Sequence, residues 1–235
     1  MQKYYHRLEC NIKLQHNVEL INLNEYISNL INKCMLRDEV LKNKHEDKII
    51  KGYTFSNLYP FEKDKIYKKD TNYIFYIHIF NREIALRLKS CLEQEECIED
   101  VTLKIKKFKK ISQISSYSPC TSQIPGENYK QRYWTCDMSI AKLLIAINSN
   151  ITKKYNLFYE KDERDLNFIQ SISIKTKGPV PIKYKGGTIL GYQTILTVKD
   201  DEKSQLLANL CIATGLGEKN SLGFGFCGDN GGVWY

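Results

Sequence analysis

The sequence has no CxxC pair, no glycine run followed by lysine and serine or threonine at P-loop spacing, and no long apolar run. Each absence excludes a class. A zinc ribbon takes paired ligands from tight turns, yet of the eight cysteines only Cys91 and Cys97 lie close together. The cysteines are therefore expected to be reduced, buried and small, with no metal and no disulfide. A membrane helix needs about 18 or more apolar residues in a row. The longest apolar stretches, residues 143–147 and 73–80, are far shorter, and His78 interrupts the second. Residues 1–14 mix charge with alternating polarity, unlike a secretory signal, so a cytoplasmic chain away from membranes is expected.

What is there is ordinary globular material, 42% hydrophobic and 26% charged, which argues against disorder and fibrous repeats. Net charge is +8 with a pI near 8.9, divided as +5 over residues 1–110 and +3 over residues 111–235. Such an excess fits a polyanionic partner, and also a plain basic protein.

Alternation over residues 4–14 puts Tyr4, His6, Leu8, Cys10, Ile12 and Leu14 on one face and Tyr5, Arg7, Glu9 and Lys13 on the other, the period of a half-buried strand. From Asn24, the expected N-cap, the spacing becomes helical through Ile27, Leu30, Ile31, Cys34 and Met35, and a short helix follows through Val40 and Leu41. Segments 53–58 and 73–80 predict paired strands. Asn81 caps a helix with Ile84, Leu88 and Leu92 inward, and Val101, Leu103 and Ile105 alternate as a fourth strand. The order is β-α-β-β-α-β.

The serine- and proline-containing stretch 112–126 reads as a connection, after which the cycle restarts. Residues 132–136 predict a strand and Asp137 caps a helix bearing Ile140, Leu143, Leu144 and Ile147. Strand-like runs at 166–176, 180–184 and 188–198 follow, with Gly186-Gly187 as a hairpin turn, then a helix over 203–213. The expectation is an α+β fold of two tandem ferredoxin-like domains, residues 1–110 and 111–235, although no sequence repeat marks a duplication.

After the last helix comes GLGEKNSLGFGFC, with Gly215, Gly217, Gly223 and Gly225 around Lys219, Asn220 and Ser221. Glycines at this spacing can adopt left-handed conformations and turn several N–H groups toward one anion, to which a lysine adds charge. The segment also reads as a hairpin joining a helix to a final strand. It fits neither a P-loop nor a dinucleotide fingerprint, so nucleotide cofactors are not expected.

GLGEKNSLGFGF resembles the C-terminal glycine-rich loop of the CRISPR-associated endoribonucleases of the sixth Cas type, in the RAMP superfamily, which cut precursor CRISPR RNA within each repeat. Residues 45–56, HEDKIIKGYTFS, are similar to a second family segment: a histidine, a lysine six positions on, and a strand. The resemblance implies two ferredoxin-like domains and metal-independent attack of the ribose 2′-hydroxyl on phosphorus, leaving a 2′,3′-cyclic phosphate and a 5′-hydroxyl. It also implies CRISPR repeat RNA as partner and, in type I systems, other Cas proteins of an interference complex; whether the chain forms a homodimer is left open.

On that resemblance His45 is the general base or acid and Lys51 stabilises charge at phosphorus; by composition alone His45 reads instead as a solvated histidine in the charged stretch 42–48. Family members often add a tyrosine from the first helix. Here Ile31 or Asn32 holds that place, with Tyr26 more than a turn away, so the acid for the leaving oxygen is unassigned. His78 reads as a packed core residue. RNA contacts are expected from Gly215, Gly217, Lys219, Asn220, Ser221, Gly223 and Gly225, and from Lys104, Lys106 and Lys107, which alternatively make a solubilising edge strand. The other readings are a repeat-RNA-binding module that does not cut, and a tandem RNA-recognition protein of another pathway.

Overall fold

The computed structural model of the chain describes residues 1–46, 50–125 and 131–229, the side chains of residues 45, 46, 125, 131 and 132 excepted. Its first half contains β1 (Tyr4–Lys13), β2 (Val18–Glu19), α1 (Leu20–Arg37), α2 (Glu39–Glu46), β3 (Tyr53–Phe55), β4 (Ile66–Tyr67), β5 (Asn72–Ile79), α3 (Arg82–Leu92) and β6 (Ile98–Lys107). Its second contains β7 (Gln113–Ser116), β8 (Gln123–Pro125), β9 (Gln131–Tyr133), α4 (Ile140–Tyr159), β10 (Ile169–Ile174), β11 (Val180–Tyr184), β12 (Gly187–Gly191), β13 (Thr194–Val198), α5 (Glu202–Thr214) and β14 (Cys227–Asp229), with a short 3-10 turn at Asn220–Leu222.

Two antiparallel four-stranded sheets result, ordered β3-β5-β1-β6 and β10-β13-β7-β14. In each the first strand lies between the third and the fourth, the ferredoxin-like order. The alternation of β1 explains its place: Leu8, Cys10 and Ile12 are fully buried in a core with Ile27, Ile31, Leu88 and Leu92 of α1 and α3. Tyr5, Arg7 and Glu9 point the other way and are half-buried. A second core gathers Ile114, Leu196, Ile147, Ile151, Leu207 and Leu210, and it also takes Phe80 from the end of β5. Asn81 caps α3, its side chain accepting from the Ile84 N–H. Seven cysteines are buried and Cys136 is exposed.

Several local expectations change. The stretch 112–126 is not merely a connection, because β7 within it is a central strand of the second sheet. β9 takes the place of the strand expected at 132–136, but it pairs with β8 outside that sheet. The cap of α4 is Ser139, whose hydroxyl accepts from Ala141 N–H, instead of Asp137. The run 188–198 divides into β12 and β13, and Lys185-Gly186 form the hairpin turn, since Tyr184 already pairs with Gly187. Helix α1 begins at Leu20, leaving Asn24 inside it and buried.

The two halves are tied by hydrogen bonds as well as by Phe80. Asn24 Nδ2 donates to Leu222 O at 2.8 Å, and Thr54 Oγ1 to Phe224 O at 3.4 Å. Tyr159 Oη donates to Gln2 O at 2.8 Å. His78 of β5 lies between the rings of Tyr5 and Phe226, its Nδ1 2.9 Å from Ile212 O; since a carbonyl only accepts, Nδ1 carries the proton.

Burial, reinforced by the charges of Arg7 and Lys106, pushes the His78 imidazole down to about 3. The folded value lies below the unfolded one, near 6.5, so the unfolded chain takes the proton first. The stability this group contributes is full above about 6.5 and is lost as pH falls toward 3. Between pH 7 and pH 4 the loss is on the order of 3 kcal/mol. His78→Phe is expected to cost about 1 kcal/mol at pH 7, by stranding Ile212 O, and to flatten that acid limb. Urea unfolding at the two pH values checks this; an unchanged pH dependence would count against it.

Candidate nucleic-acid interface

The glycine-rich segment is a wedge between the halves. Gly215, Gly217, Gly223 and Gly225 are buried and all have positive φ. Necessity is clearest at Gly225, φ +67°, where a Cβ would stand 1.9 Å from Leu216 O, and at Gly223, φ +81°, where it would meet Phe55 and the Asn24 amide. Much of the backbone is bonded internally: Leu216 N–H to Gly225 O, Gly225 N–H to Pro119 O, Glu218 N–H to Thr121 O. The Asn220 side chain is engaged too, Nδ2 donating to Leu216 O and Phe224 O. What reaches the surface is the half-turn carrying Lys219 and Ser221, both half-buried, with Lys219 Nζ 5.9 Å from the centroid of the Tyr133 ring.

Strand β3 connects this wedge to the second sequence segment. Thr54 and Phe55 abut Phe224 and Gly223, and one residue before the strand Gly52, at φ +73°, packs where a Cβ would strike the Phe158 ring. Lys51 precedes it, half-buried, and its ammonium donates to the Lys44 carbonyl in the last turn of α2. That carbonyl belongs to the residue before His45. The His45 backbone is helical, and its side chain lies outside the described residues. Lys44, Lys51 and Arg82 line a cavity of about 580 Å³, with Met35 and Phe158 as apolar wall and Glu83 and Glu160 as its carboxylates. Of the two residues expected to hold the family tyrosine's place, Ile31 is fully buried in the first core and Asn32 is half-buried.

Lys104, Lys106 and Lys107 lie elsewhere, on the edge strand β6. Lys104 and Lys106 share the open face with Arg7, because Arg7 pairs with Lys104 and Tyr5 with Lys106 in the register. Two carboxylates neutralise part of this group: Glu9 binds Lys104 at 2.6 Å and also Arg7, and Asp229 binds Lys109 at 2.5 Å. Lys106 and Lys107 form no ion pair among the described residues. Burial, then the Arg7 charge, holds the Lys106 ammonium below the usual lysine range. A 280 Å³ groove between this face and the end of the second sheet is lined by Arg7, Lys106, Lys107 and Lys109. The site reading from sequence omitted Arg7 from the basic group, although its outward phase on β1 was the available signal.

The four-cation groove and the Lys51 cavity are thus separate, while the wedge packs on β3, which begins two residues after Lys51. Among the described residues no helix is long and apolar enough to cross a membrane. No curated protein sequence matches the chain. Solved structures do. One described as CRISPR associated protein Cas6 superposes with a TM-score of 0.71 at 22% identity, covering 96% of this chain and 99% of the other. An RAMP protein binding different RNA substrates gives 0.71 at 20% identity, covering 94% and 98%. A Cas6-related gene product from Pyrococcus furiosus gives 0.70 at 22% identity, covering 96% and 98%. At these identities the likeness speaks for the fold. The family described as CRISPR associated protein Cas6, C-terminal, matches residues 103–228, more than half of the sequence, from the middle of β6 through the glycine-rich wedge, and the chain belongs to that family.

Proposed function

We propose that the protein is an endoribonuclease that binds precursor CRISPR RNA and cuts it within the repeat without a metal ion. The observation that carries this reading is the bond from the Lys51 ammonium to the Lys44 carbonyl, which brings the two residues of the HEDKIIK segment to one end of α2, beside a cavity bearing Lys44 and Arg82. In the reaction the ribose 2′-oxygen attacks phosphorus and the bond to the 5′-oxygen breaks. The 2′-proton leaves to a base and a proton is delivered to the departing oxygen. His45, whose residue type titrates near neutrality, handles a proton; Lys51 offsets the charge that grows on the phosphorane oxygens. Lys219 and Ser221 of the wedge, with the cations of β6, hold the phosphodiester chain on either side, and such contacts weaken with salt. Membership of the family and the RNA named for one of its structural relatives support repeat RNA as the partner.

A specific observation favours a second reading, a binder that does not cut: Ile31, one of the two positions where relatives often have a tyrosine, is buried and offers no proton, and Asn32, the other, carries no phenol. Labelled repeat RNA incubated in EDTA decides between them, run with His45→Ala and with a 2′-deoxy substrate at the cut position. We expect single-site cutting that survives chelation and falls about 10²–10⁴-fold in His45→Ala, with none on the deoxy substrate. Tight binding without cutting would leave the binder.

A further inference from the structure

Beneath the glycine-rich wedge lies a buried cation that the mechanism above does not use. Lys154, in the middle of α4, is 1% exposed, with Ile151 and Tyr155 of the second core as helix neighbours. Its Nζ donates to Gly215 O at 2.6 Å, Asn220 Oδ1 at 2.8 Å and Gly217 O at 3.2 Å. An ammonium has three donors, so all are engaged, and none of the three acceptors is a carboxylate. Burying an ammonium without a bonded counter-ion is costly unless its hydrogen bonds are complete. Burial pulls Lys154 down to about 8, partly opposed by Cys211, Cys227 and Glu218, so it remains mostly charged at neutral pH.

A methionine would fill the same space without that cost, so the bonds themselves need a purpose. They turn two carbonyls of the wedge inward. A trans peptide directs C=O and N–H oppositely, and the Glu218 N–H accordingly faces away and reaches Thr121 O. Asn220 is clamped at three points, by Lys154 on its oxygen and by Leu216 O and Phe224 O on its nitrogen. The flanking residues Lys219 and Ser221 are left as the surface of the turn.

We infer that Lys154 is a positioning residue for RNA: by holding Gly215, Gly217 and Asn220 from inside, it fixes the half-turn that presents Lys219 and Ser221 to a phosphate. This rests on the proposed RNA contact of the wedge. It explains why the wedge tolerates four glycines without losing its shape.

The test is a double-mutant cycle on the full chain, reading the dissociation constant for repeat RNA with wild type, Lys154→Met, Lys219→Ala and the double variant, circular dichroism confirming folding in each. Lys154→Met should weaken binding at least about tenfold, and Lys219→Ala should then cost little more in that background, since the half-turn is already displaced. A purely structural lysine would leave the Lys219→Ala penalty intact; a full, multiplicative penalty therefore overturns the inference, as does unchanged binding by Lys154→Met. If Lys154→Met does not fold, Asn220→Ser removes one acceptor from the ammonium and carries the same cycle. A wild-type chain that fails to bind repeat RNA overturns the functional reading itself, and the inference with it.

Discussion

Lys51→Ala is expected to lower the rate constant for cutting bound repeat RNA by about 10²–10³-fold, the usual loss when one donor to a developing oxyanion is removed. The dissociation constant should change by less than about tenfold, because the ammonium acts mainly on charge that appears in the transition state. Position supports this. Gly52 pins the chain against Phe158, and the Lys51 side chain is led back to the carbonyl beside His45. A competing account makes Lys51 only a C-terminal cap of α2, satisfying an orphan carbonyl. That role predicts a stability loss of about 1 kcal/mol and little change in rate. Single-turnover kinetics at saturating protein, beside urea unfolding of the same variant, separates the two; a rate within a few-fold of wild type would reduce Lys51 to the cap.

Gly225→Ala should be the most destabilising single-methyl change in the wedge, at about 4 kcal/mol or more. A Cβ there would be 1.9 Å from Leu216 O and 2.8 Å from Leu216 C, both backbone atoms, so no side-chain rotation relieves the clash. The left-handed φ adds about 1–2 kcal/mol for any residue with a Cβ. Relief requires moving Leu216 away from Gly225, which breaks the bond from Leu216 N–H to Gly225 O and disturbs Leu216 O, the carbonyl that Asn220 Nδ2 holds. By contrast Gly178, with open space around its Cβ, should accept alanine almost neutrally. Urea midpoints for the two variants make the comparison; similar values would show that the wedge yields more easily than its geometry implies.

Much of this protein could be read before its structure. Alternation placed β1 and β6, aromatic and branched content placed β5, and helical spacing placed α1 and α3, because those signals arise within a few residues of chain. The Asn81 cap is of the same local kind. Glycines at 215, 217, 223 and 225 announced a backbone with left-handed turns, as all four positive φ values bear out.

Other features were decided by partners distant in sequence. β7 hides in a serine-rich stretch because Ser115 and Ser116 are buried by strands β13 and β14 from far along the chain, not by a hydrophobic pattern of their own. Asn24 has the residue type of a cap but becomes a tie to Leu222, 198 residues away. No local pattern marks Lys154 as buried: the wedge closes over it and supplies three oxygens. Local periodicity reports which face of an element avoids water; it carries no record of what will cover that face. Sequence by itself therefore determined the β-α-β-β-α-β order of the first half, the family motifs and the turn-forming glycines. The tertiary structure alone decided which polar groups meet, because a buried lysine, asparagine or histidine is stable only where folding brings distant donors and acceptors to it.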